Sequence, residues 1–588
     1  MTTGKVTGLI ANLISIQANG PVVQNEICYL HTGDDKLLAE VIKIQGEKIF
    51  AQVYDSTRGA APGDEVSFTG ELLSLTLGPG MLSKKYDGLQ TDLDALSGVF
   101  LHRGQKSKAL DEEKIWELRP IVEAGALVEA GDWLAETVEN HLPHRIMVPA
   151  SFVGRWSVER IVPPGAYPAN GVIAVLRQGH EQREVSMIQQ WPVRVPMKAY
   201  REKLRPEHML VTGVRAIDTL NPMLEGGTGF IPGPFGCGKT VLQQSIARQA
   251  NADIVIVAAC GERANEVVEI FEEFPRLFDP STGRKLMERT IIVANTSSMP
   301  VAAREASVYT AMTLAEYYRN MGLRVLLLAD STSRWAQALR EMSNRLEDLP
   351  GPDAFPMDLT AVISAFYARA GAVVLRNGAR GAITLIGTVS PAGGNLKEPV
   401  TEATKKAARC FYALAQRRAD SKRYPAIDPI DSYSKYLEYP ECEQQMEVAS
   451  LSSWIGDAAK LRRILVRGRE AADQINILGD DGVSIEFHLN FWRSELVDFV
   501  LLQQDAFDEV DQFTTTERQS YMTRLVLQIA AIPFQYEVYT DLRPHFSSII
   551  NACKQMNYAK FGSMEFEQFR AQLDEQLELH QAVKSLEL

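Results

Sequence analysis

The feature that most constrains this chain is an eight-residue loop, Gly233-Pro234-Phe235-Gly236-Cys237-Gly238-Lys239-Thr240, which follows the pattern G-x-x-x-x-G-K-[ST]. Its glycines allow successive backbone N–H groups to surround phosphate oxygens without a clash from Cβ atoms. Lys239 is expected to neutralise the β- and γ-phosphates, and the Thr240 hydroxyl to bind Mg²⁺. The helix that must follow adds its positive dipole end. The loop therefore predicts an α/β nucleotide-binding domain.

The flanking sequence satisfies the context that such a loop requires. Gly229-Phe230-Ile231 precedes it as a predicted strand, and residues 241–250, beginning with Val241, follow as a predicted helix. A chance match in a glycine-rich loop would lack this context, so residues 233–241 are all candidate nucleotide contacts. From about 191 to 435, apolar runs alternate with helical stretches, which is typical of a largely parallel sheet.

Two further predicted strands end in acidic residues. The apolar run 324–329 is followed by Asp330, the arrangement expected of a carboxylate that holds Mg²⁺ through water beside a phosphate loop. Taken alone, an Asp at this position more often caps the next helix. Glu262 and Arg263 follow the run 253–259, where a carboxylate can polarise an attacking water and a cation can contact the γ-phosphate. A surface Glu–Arg pair is the alternative.

The predicted fold is a multidomain α/β protein, because 588 residues exceed what one ordinary core contains. Residues 1–70 alternate with period two and predict an N-terminal β-barrel. Residues 71–100 show no strong period and are expected to be a connector, followed by an inserted β-rich module at 101–190. Residues 191–435 are the P-loop (RecA-like) nucleotide-binding domain, and 436–588 are expected to form a C-terminal helical domain.

The charge balance argues against a nucleic-acid partner, since the net charge is −13. The N-terminus lacks the layout of a signal peptide, and no apolar run reaches about 18 residues. We therefore expect a cytoplasmic chain that reaches a membrane only through partners.

The six scattered cysteines fit a reducing compartment, and five are expected to be small buried residues. Cys237 differs because it lies in the phosphate loop. Nearby positive charge and a helix N-terminus would lower its pKa and expose a thiolate to alkylation or oxidation. The alternative is a thiol that merely fills a small slot.

Long runs around these motifs resemble the catalytic A subunit of the vacuolar/archaeal-type rotary ATPases, and the similarity covers nearly the whole chain. The matching runs are residues 294–307 (ANTSSMPVAAREAS), 330–341 (DSTSRWAQALRE), 389–395 (VSPAGGN) and 398–401 (EPVT). Runs of this length are far more specific than a P-loop, which many unrelated NTPases share.

The resemblance implies roles for individual residues. Glu262 matches the family's water-activating carboxylate, and Arg263 its neighbouring γ-phosphate contact. Arg334 matches an arginine that helps to sense the γ-phosphate. Tyr424 and Phe507 match the aromatic walls of an adenine pocket, the alternative being that both are ordinary core aromatics.

The resemblance also implies an assembly. The family forms a ring in which three A subunits alternate with three non-catalytic B subunits around a central shaft, held by a peripheral stalk. ATP is hydrolysed to ADP, or synthesised from it, with Mg²⁺ at the A–B interface, where the B subunit supplies an arginine. The reaction is coupled to H⁺ or Na⁺ movement through a membrane sector to which the ring is peripheral. One segment departs from the family, because residues 357–363 (MDLTAVI) lack its usual tyrosine and arginine.

Two other functions share some of these features. A hexameric nucleic-acid-translocating ATPase would have a similar P-loop sheet and β-barrel, but the acidity and the missing aromatic-plus-basic strand face argue against it. A non-catalytic nucleotide-binding ring subunit would have a degraded phosphate loop or lack the acidic residue. Both Lys239 and Glu262 are present, which favours catalysis.

Overall fold

A computed structural model describes residues 2–96, 104, 106–280, 282–440 and 454–586, and its N-terminal part is a closed six-stranded barrel. The strands are β1 (Thr3–Ile10), β2 (Leu13–Ala18), β3 (Glu26–Thr32), β4 (Asp35–Gln45), β5 (Lys48–Val53) and β6 (Glu65–Leu72). They close in the order β1-β2-β5-β4-β3-β6. Alternate side chains, such as Ile14 and Ile16 of β2, fill the interior, which explains the period-two pattern in the sequence. The predicted barrel is confirmed.

Two strands lie within the stretch 71–100, for which the sequence predicts only a connector. β7 (Ser74–Leu77) pairs antiparallel with the strand Gln189–Pro192. β8 (Lys85–Tyr86) pairs parallel with the strand Thr290–Thr296 and so extends the sheet of the nucleotide-binding domain. Both strands are too short to show a period, and only pairing with distant residues defines them.

The β-rich insertion consists of two four-stranded antiparallel sheets. Its strands are β9 (Ile115–Pro120), β10 (Leu127–Val128), β11 (Trp133–Glu139), β12 (Leu142–Met147), β13 (Trp156–Ile161), β14 (Gly165–Pro168), β15 (Ala174–Gln178) and β16 (Glu181–Val185), after which β17 (Gln189–Pro192) returns to β7. The sheet orders are β10-β13-β15-β16 and β12-β11-β9-β14. The buried His144 ring lies 2.8 Å from a Glu139 carboxylate oxygen and 3.0 Å from the Tyr317 hydroxyl, which ties the insertion to the next domain.

The nucleotide-binding domain is a twisted, mostly parallel sheet with helices on both faces. Its strands are β18 (Glu202–Leu204), β19 (Met209–Leu210), β20 (Met223–Leu224), β21 (Thr228–Pro232), β22 (Ile254–Glu262), β23 (Thr290–Thr296), β24 (Arg324–Asp330), β25 (Gly371–Val374), β26 (Arg380–Val389), β27 (Cys410–Phe411) and β28 (Tyr433–Ser434). Its helices are α1 (Arg215–Leu220), α2 (Lys239–Gln249), α3 (Ala264–Glu273), α4 (Val301–Arg319), α5 (Thr332–Arg345), α6 (Leu359–Tyr367), α7 (Pro399–Ala407) and α8 (Gln416–Asp420).

The main sheet has the order β28-β27-β21-β26-β24-β22-β23-β8. β21, β26, β24, β22 and β23 are mutually parallel, so their carboxyl ends meet at one edge. Every residue of β22 is buried, as expected of a strand covered on both faces. These strands coincide with the apolar runs in the sequence, and the predicted P-loop domain is confirmed.

The C-terminal region is helical, as predicted. Its helices are α9 (Trp454–Leu478), α10 (Ile485–Val497), α11 (Thr516–Ala531), α12 (Tyr539–Tyr558) and α13 (Met564–Leu586). The apolar core of these helices continues into the nucleotide-binding domain around α1 and α2. A buried ion pair between Arg215 and Asp511 joins the two regions, and the Gln504 side chain donates to the Gly213 carbonyl at 2.9 Å.

A buried ionic cluster joins the barrel to the nucleotide-binding domain. The Arg194 guanidinium donates at 2.7 Å to Glu40 of the barrel and at 2.7 Å to Glu305 of α4. Both carboxylates are buried, and a buried carboxylate without a partner would destabilise the fold. The Arg194 guanidinium is the shared ion-pair partner of both.

Candidate nucleotide-binding site

The phosphate loop connects β21 to α2, as the sequence predicts. Gly236 and Gly238 both have a φ of +81°, a backbone conformation that glycine adopts without strain. A Cβ on Gly233 would lie 2.7 Å from Leu414 Cβ, so close packing requires glycine at that position. The loop leads directly into the N-terminus of α2, which begins at Lys239 and favours an anion.

The Lys239 ammonium lies inside this loop. It donates to the Gly233 carbonyl at 2.6 Å and to the Ser390 hydroxyl at 2.7 Å. Burial lowers the pKa of Lys239, while the carboxylates of Asp330 and Glu262 favour its charged form. Ser390 is a site residue that sequence reasoning missed; its one signal is its position directly after β26, at the same edge of the sheet as the loop.

Asp330 is the last residue of β24, and its carboxylate is buried beside the loop. The Thr388 hydroxyl donates to Asp330 Oδ1 at 2.5 Å. Burial raises the pKa of Asp330, and this hydrogen bond together with Lys239 and Arg334 opposes that shift. The residue at the cap position of α5 is Ser331, so the helix-cap alternative for Asp330 is not supported. Thr388 was not among the predicted residues.

Glu262 ends the strand next to Asp330 and is only 6% exposed. Burial raises the pKa of the Glu262 carboxyl, and the nearby Asp330 charge raises it further. Arg263 is the exposed N-cap residue of α3, and its guanidinium lies 5.2 Å from the centre of the Phe235 ring in the phosphate loop. Lys239 Nζ lies 5.1 Å from the same ring. A buried carboxyl beside an exposed arginine is not a surface ion pair.

The acidic residues at this edge fit a divalent cation. Asp330 and Glu262 end paired parallel strands, and the charge of Asp330 opposes the ionisation of Glu262. A cation would relieve that repulsion. Thr240, the second residue of α2, adds a hydroxyl next to Lys239. Carboxylate and hydroxyl oxygens are the ligands that Mg²⁺ prefers.

A cavity of about 580 Å³ opens beside α2 and includes residues of the phosphate loop. Val241 lines one side, and Tyr424 and Phe507 line it with 42% and 85% of their surfaces exposed. Neither aromatic is therefore an ordinary core residue. The opposite wall comes from the C-terminal helices and was not predicted, because nothing local marks those residues: Gln503, Lys554, Asn557 and Tyr558.

Of the two alternatives for Cys237, the structure favours the thiol that fills a small slot over the reactive thiolate. Its side chain is 1% exposed, and its thiol donates to Gln416 Oε1 at 3.3 Å. Burial raises the pKa of Cys237 and outweighs the opposite effect of Lys239. Cys237 therefore fills a small slot above the apolar core. The other described cysteines are buried and form no disulfide with one another, namely Cys28, Cys260, Cys410 and Cys553, and Cys442 lies outside the described residues.

Three family models match the chain in succession. The beta-barrel domain of the ATP synthase alpha/beta family matches residues 6–70, and the ATPsynthase alpha/beta subunit barrel-sandwich domain matches 107–194. The nucleotide-binding domain of the ATP synthase alpha/beta family matches 213–434. These spans cover the barrel, the two-sheet insertion and the parallel sheet with its phosphate loop.

Individual relatives match almost from end to end. The V-type ATP synthase alpha chain of Borrelia duttonii (strain Ly) is 48% identical over 574 residues, which is 97% of each chain. The V-type ATP synthase alpha chain 1 of Treponema pallidum (strain Nichols) is 48% identical over 570 residues, 96% of this chain and 94% of the relative. This chain belongs to the V-type ATP synthase alpha-chain family. A further alpha chain, from Borrelia garinii subsp. bavariensis, is 44% identical over 586 residues, 99% of this chain and all of the relative.

The segment 357–363, which lacks the tyrosine and arginine expected from the family, packs through apolar residues instead. Leu359 and Ile363 of α6 are buried in the core beneath the sheet. Just before them, the buried Phe355 ring lies 4.9 Å from the Arg340 guanidinium. No helix among the described residues combines the length and the apolar run that a bilayer crossing needs.

Proposed function

We propose that this chain is the catalytic subunit of a V/A-type rotary ATPase, which hydrolyses or synthesises ATP and couples that reaction to cation translocation across a membrane. One observation carries the proposal: the ammonium of Lys239 and the buried carboxyls of Asp330 and Glu262 meet at one edge of a parallel sheet, directly beside the phosphate loop. The V-type ATP synthase alpha chains to which it is similar support the same reaction.

The phosphate loop binds the phosphates of the nucleotide, and the adjoining cavity binds its adenine. Backbone N–H groups of the phosphate loop and the Lys239 ammonium bind the phosphates, which are anionic and fit the N-terminus of α2. Tyr424 and Phe507 stack on the adenine, and Val241 contacts its edge. Each aromatic contact contributes about 0.5–1.5 kcal/mol, so the phosphate contacts dominate the affinity for ATP and ADP.

Thr240 and Asp330 would hold Mg²⁺, which when bound offsets the negative charge of the phosphates. The Thr388 hydroxyl fixes one oxygen of the Asp330 carboxylate. That hydrogen bond favours the ionised carboxylate, which is the form that binds a metal.

Glu262 orients the attacking water and accepts its proton. Its burial and the neighbouring Asp330 raise the pKa of the carboxyl, so it is a stronger base than an exposed glutamate once ionised. Arg263 and Arg334 contact the γ-phosphate and stabilise the charge that develops there. The positive charge of Lys239 offsets the negative charges of the Asp330 and Glu262 carboxylates and of the phosphates.

The site is completed by a second subunit. Arg263 and Phe507 are exposed at the rim of the site, where another chain can contact the nucleotide. We infer a ring in which this chain alternates with a non-catalytic B subunit that supplies an arginine, arranged around a central shaft and a peripheral stalk. The ring is peripheral to the membrane, acts on it through the membrane sector, and does not bind nucleic acid.

Replacing Lys239 with Ala in the full assembly tests this function. Loss of the ammonium should abolish both ATP binding and turnover, while the isolated wild-type chain should bind ATP but turn it over very slowly. Lys285→Ala, at an exposed lysine remote from the loop, is the matched control. Wild-type turnover in the Lys239→Ala assembly would contradict the proposal.

A further inference from the structure

A second cavity lies in the C-terminal region and shares no lining residue with the cavity beside the phosphate loop. It is a groove of about 690 Å³ between α9 and α11, open to the surface. Its walls are formed by residues of both helices: Asp457, Lys460, Arg463, Ile464, Arg467, Arg524, Leu527, Gln528, Ala530 and Ala531. None of these residues takes part in the proposed chemistry.

The rim of the groove is strongly basic. Four cationic side chains line it against one carboxylate, and that carboxylate, Asp457, is already paired with Lys460 at 2.9 Å. Arg463 and Arg467 are exposed, and neither has a hydrogen-bond or ion-pair partner in the part of the chain that the structure describes. This local excess of positive charge contrasts with the net charge of −13 of the whole chain. The groove therefore attracts a negatively charged ligand.

The floor of the groove is apolar. Ile464 and Leu527 are half-buried there, and Ala530 and Ala531 leave room above them. The residues described along the groove include no aromatic ring on which a nucleic-acid base could stack. An apolar floor between charged walls instead matches an amphipathic helix, which buries one face and keeps charged side chains at the edges.

The spacing of the arginines agrees with that occupant. Arg463 and Arg467 are one turn apart on α9, about 6 Å along the helix axis. Acidic side chains one turn apart on a partner helix have the same spacing and can meet both guanidinium groups at once. Arginine also binds carboxylates through two parallel hydrogen bonds, which gives such contacts a defined geometry.

We propose that this groove, the α9–α11 groove, docks an acidic amphipathic helix of another protein in the assembly. The positive rim selects acidic residues and orients the helix, and the floor of Ile464 and Leu527 buries its apolar face. The docking is independent of nucleotide chemistry, so ATP binding to the isolated chain does not report on it.

A photo-crosslinking amino acid at Gln528, which faces the groove from α11, tests the identity of the occupant in the full assembly. We expect one partner peptide, identified by mass spectrometry, that is helical and carries acidic residues a turn apart. The same amino acid at the exposed Lys560 is the positional control. Crosslinks only to residues 441–453 or another part of this chain, to a second copy, to lipid or to nucleic acid, or no crosslink at all, would overturn the proposal.

Charge reversal tests the recognition. The double substitution Arg463→Glu/Arg467→Glu should weaken retention of that partner by about tenfold or more at low salt. The difference should shrink above about 0.5 M NaCl, where the Debye length is only a few ångströms. Arg463→Lys/Arg467→Lys keeps the charge and should retain the partner. Lys285→Glu/Lys560→Glu, at two exposed lysines outside the groove, changes the net charge by the same amount as the double Arg→Glu variant and controls for net charge.

A compensating substitution in the partner distinguishes a loss of recognition from misfolding of the Arg463→Glu/Arg467→Glu chain. Replacing the crosslinked acidic residues of the partner with Lys should restore its retention by the Arg463→Glu/Arg467→Glu chain. Unchanged retention in that chain, or failure of the partner's lysines to restore it, would show that the groove does not recognise an acidic helix.

Discussion

Replacing Glu262 with Gln tests the proposed chemistry most directly. Gln has nearly the same shape, so the buried position at the end of β22 stays filled, but its amide cannot accept a proton from water. General-base catalysis contributes about 10²- to 10⁴-fold to a rate. That range corresponds to about 3–5.5 kcal/mol of barrier, since each tenfold step is about 1.4 kcal/mol. We expect the turnover of the assembled complex to fall by this factor.

ATP binding should change far less in the same variant. Glu262 helps to keep Lys239 charged, but Asp330 supports that charge more strongly and remains in place. The phosphate loop and the adenine cavity are untouched, because Glu262 contacts neither the backbone of the loop nor Tyr424 in the described structure. In this variant turnover should therefore fall while the affinity for ATP stays nearly unchanged.

The assay measures equilibrium ATP binding and phosphate release on one preparation of the reconstituted complex. Glu266→Gln is the matched control, because it removes a neighbouring carboxyl on α3 that influences Glu262 without being the proposed base. Near-normal turnover in Glu262→Gln would refute the assignment of the base. Parallel loss of binding and turnover would show that Glu262 acts through nucleotide affinity instead.

Three further predictions concern the residues around this base. Thr388→Val removes the hydrogen bond that lowers the pKa of Asp330, so the Mg²⁺ concentration for half-maximal turnover should rise; an unchanged Mg²⁺ titration would exclude Asp330 as the metal ligand. Gly233→Ala places a Cβ 2.7 Å from that of Leu414 and should lower the free energy of unfolding by about 1–3 kcal/mol in denaturant titrations, with partial recovery when Leu414→Ala is added. Phe507→Ala should raise the KM for ATP about 2- to 12-fold at unchanged kcat, and an unaltered KM in steady-state kinetics would argue against stacking.

Much of the candidate site could be predicted because each part has a recognisable local sequence pattern. A glycine-rich turn must precede a helix if backbone N–H groups are to face phosphate, and an apolar run ending in Asp330 must be a buried strand. Since parallel strands end at one edge, the positions of Asp330 and Glu262 at strand ends already imply that both lie near Lys239. The residues that assist them, Ser390 and Thr388, carry no such local pattern, because hydroxyls are common after strands in every environment.

The state of the Cys237 thiol is a question that the sequence left open between two alternatives. A cation and a helix N-terminus nearby suggest a thiolate, but whether the thiol faces solvent depends on which way the loop turns. In the folded chain the Cys237 side chain is buried, and this burial raises the pKa of the thiol more than the charge of Lys239 lowers it. Desolvation is a property of the surroundings and cannot be deduced from neighbours in the chain.

The sequence alone determined the order of the barrel, the β-rich insertion, the parallel sheet and the helical region, and the strand–loop–helix arrangement at the phosphate loop. Periodicity and glycine geometry are local properties of the sequence. Only the tertiary structure decided the rest: that β8 joins a sheet some 200 residues away in the chain, that residues of the C-terminal region line the cavity beside the phosphate loop, and that Arg463 and Arg467 line an open groove. These features arise where segments that are distant in sequence come into contact, and no pattern within either segment predicts that contact.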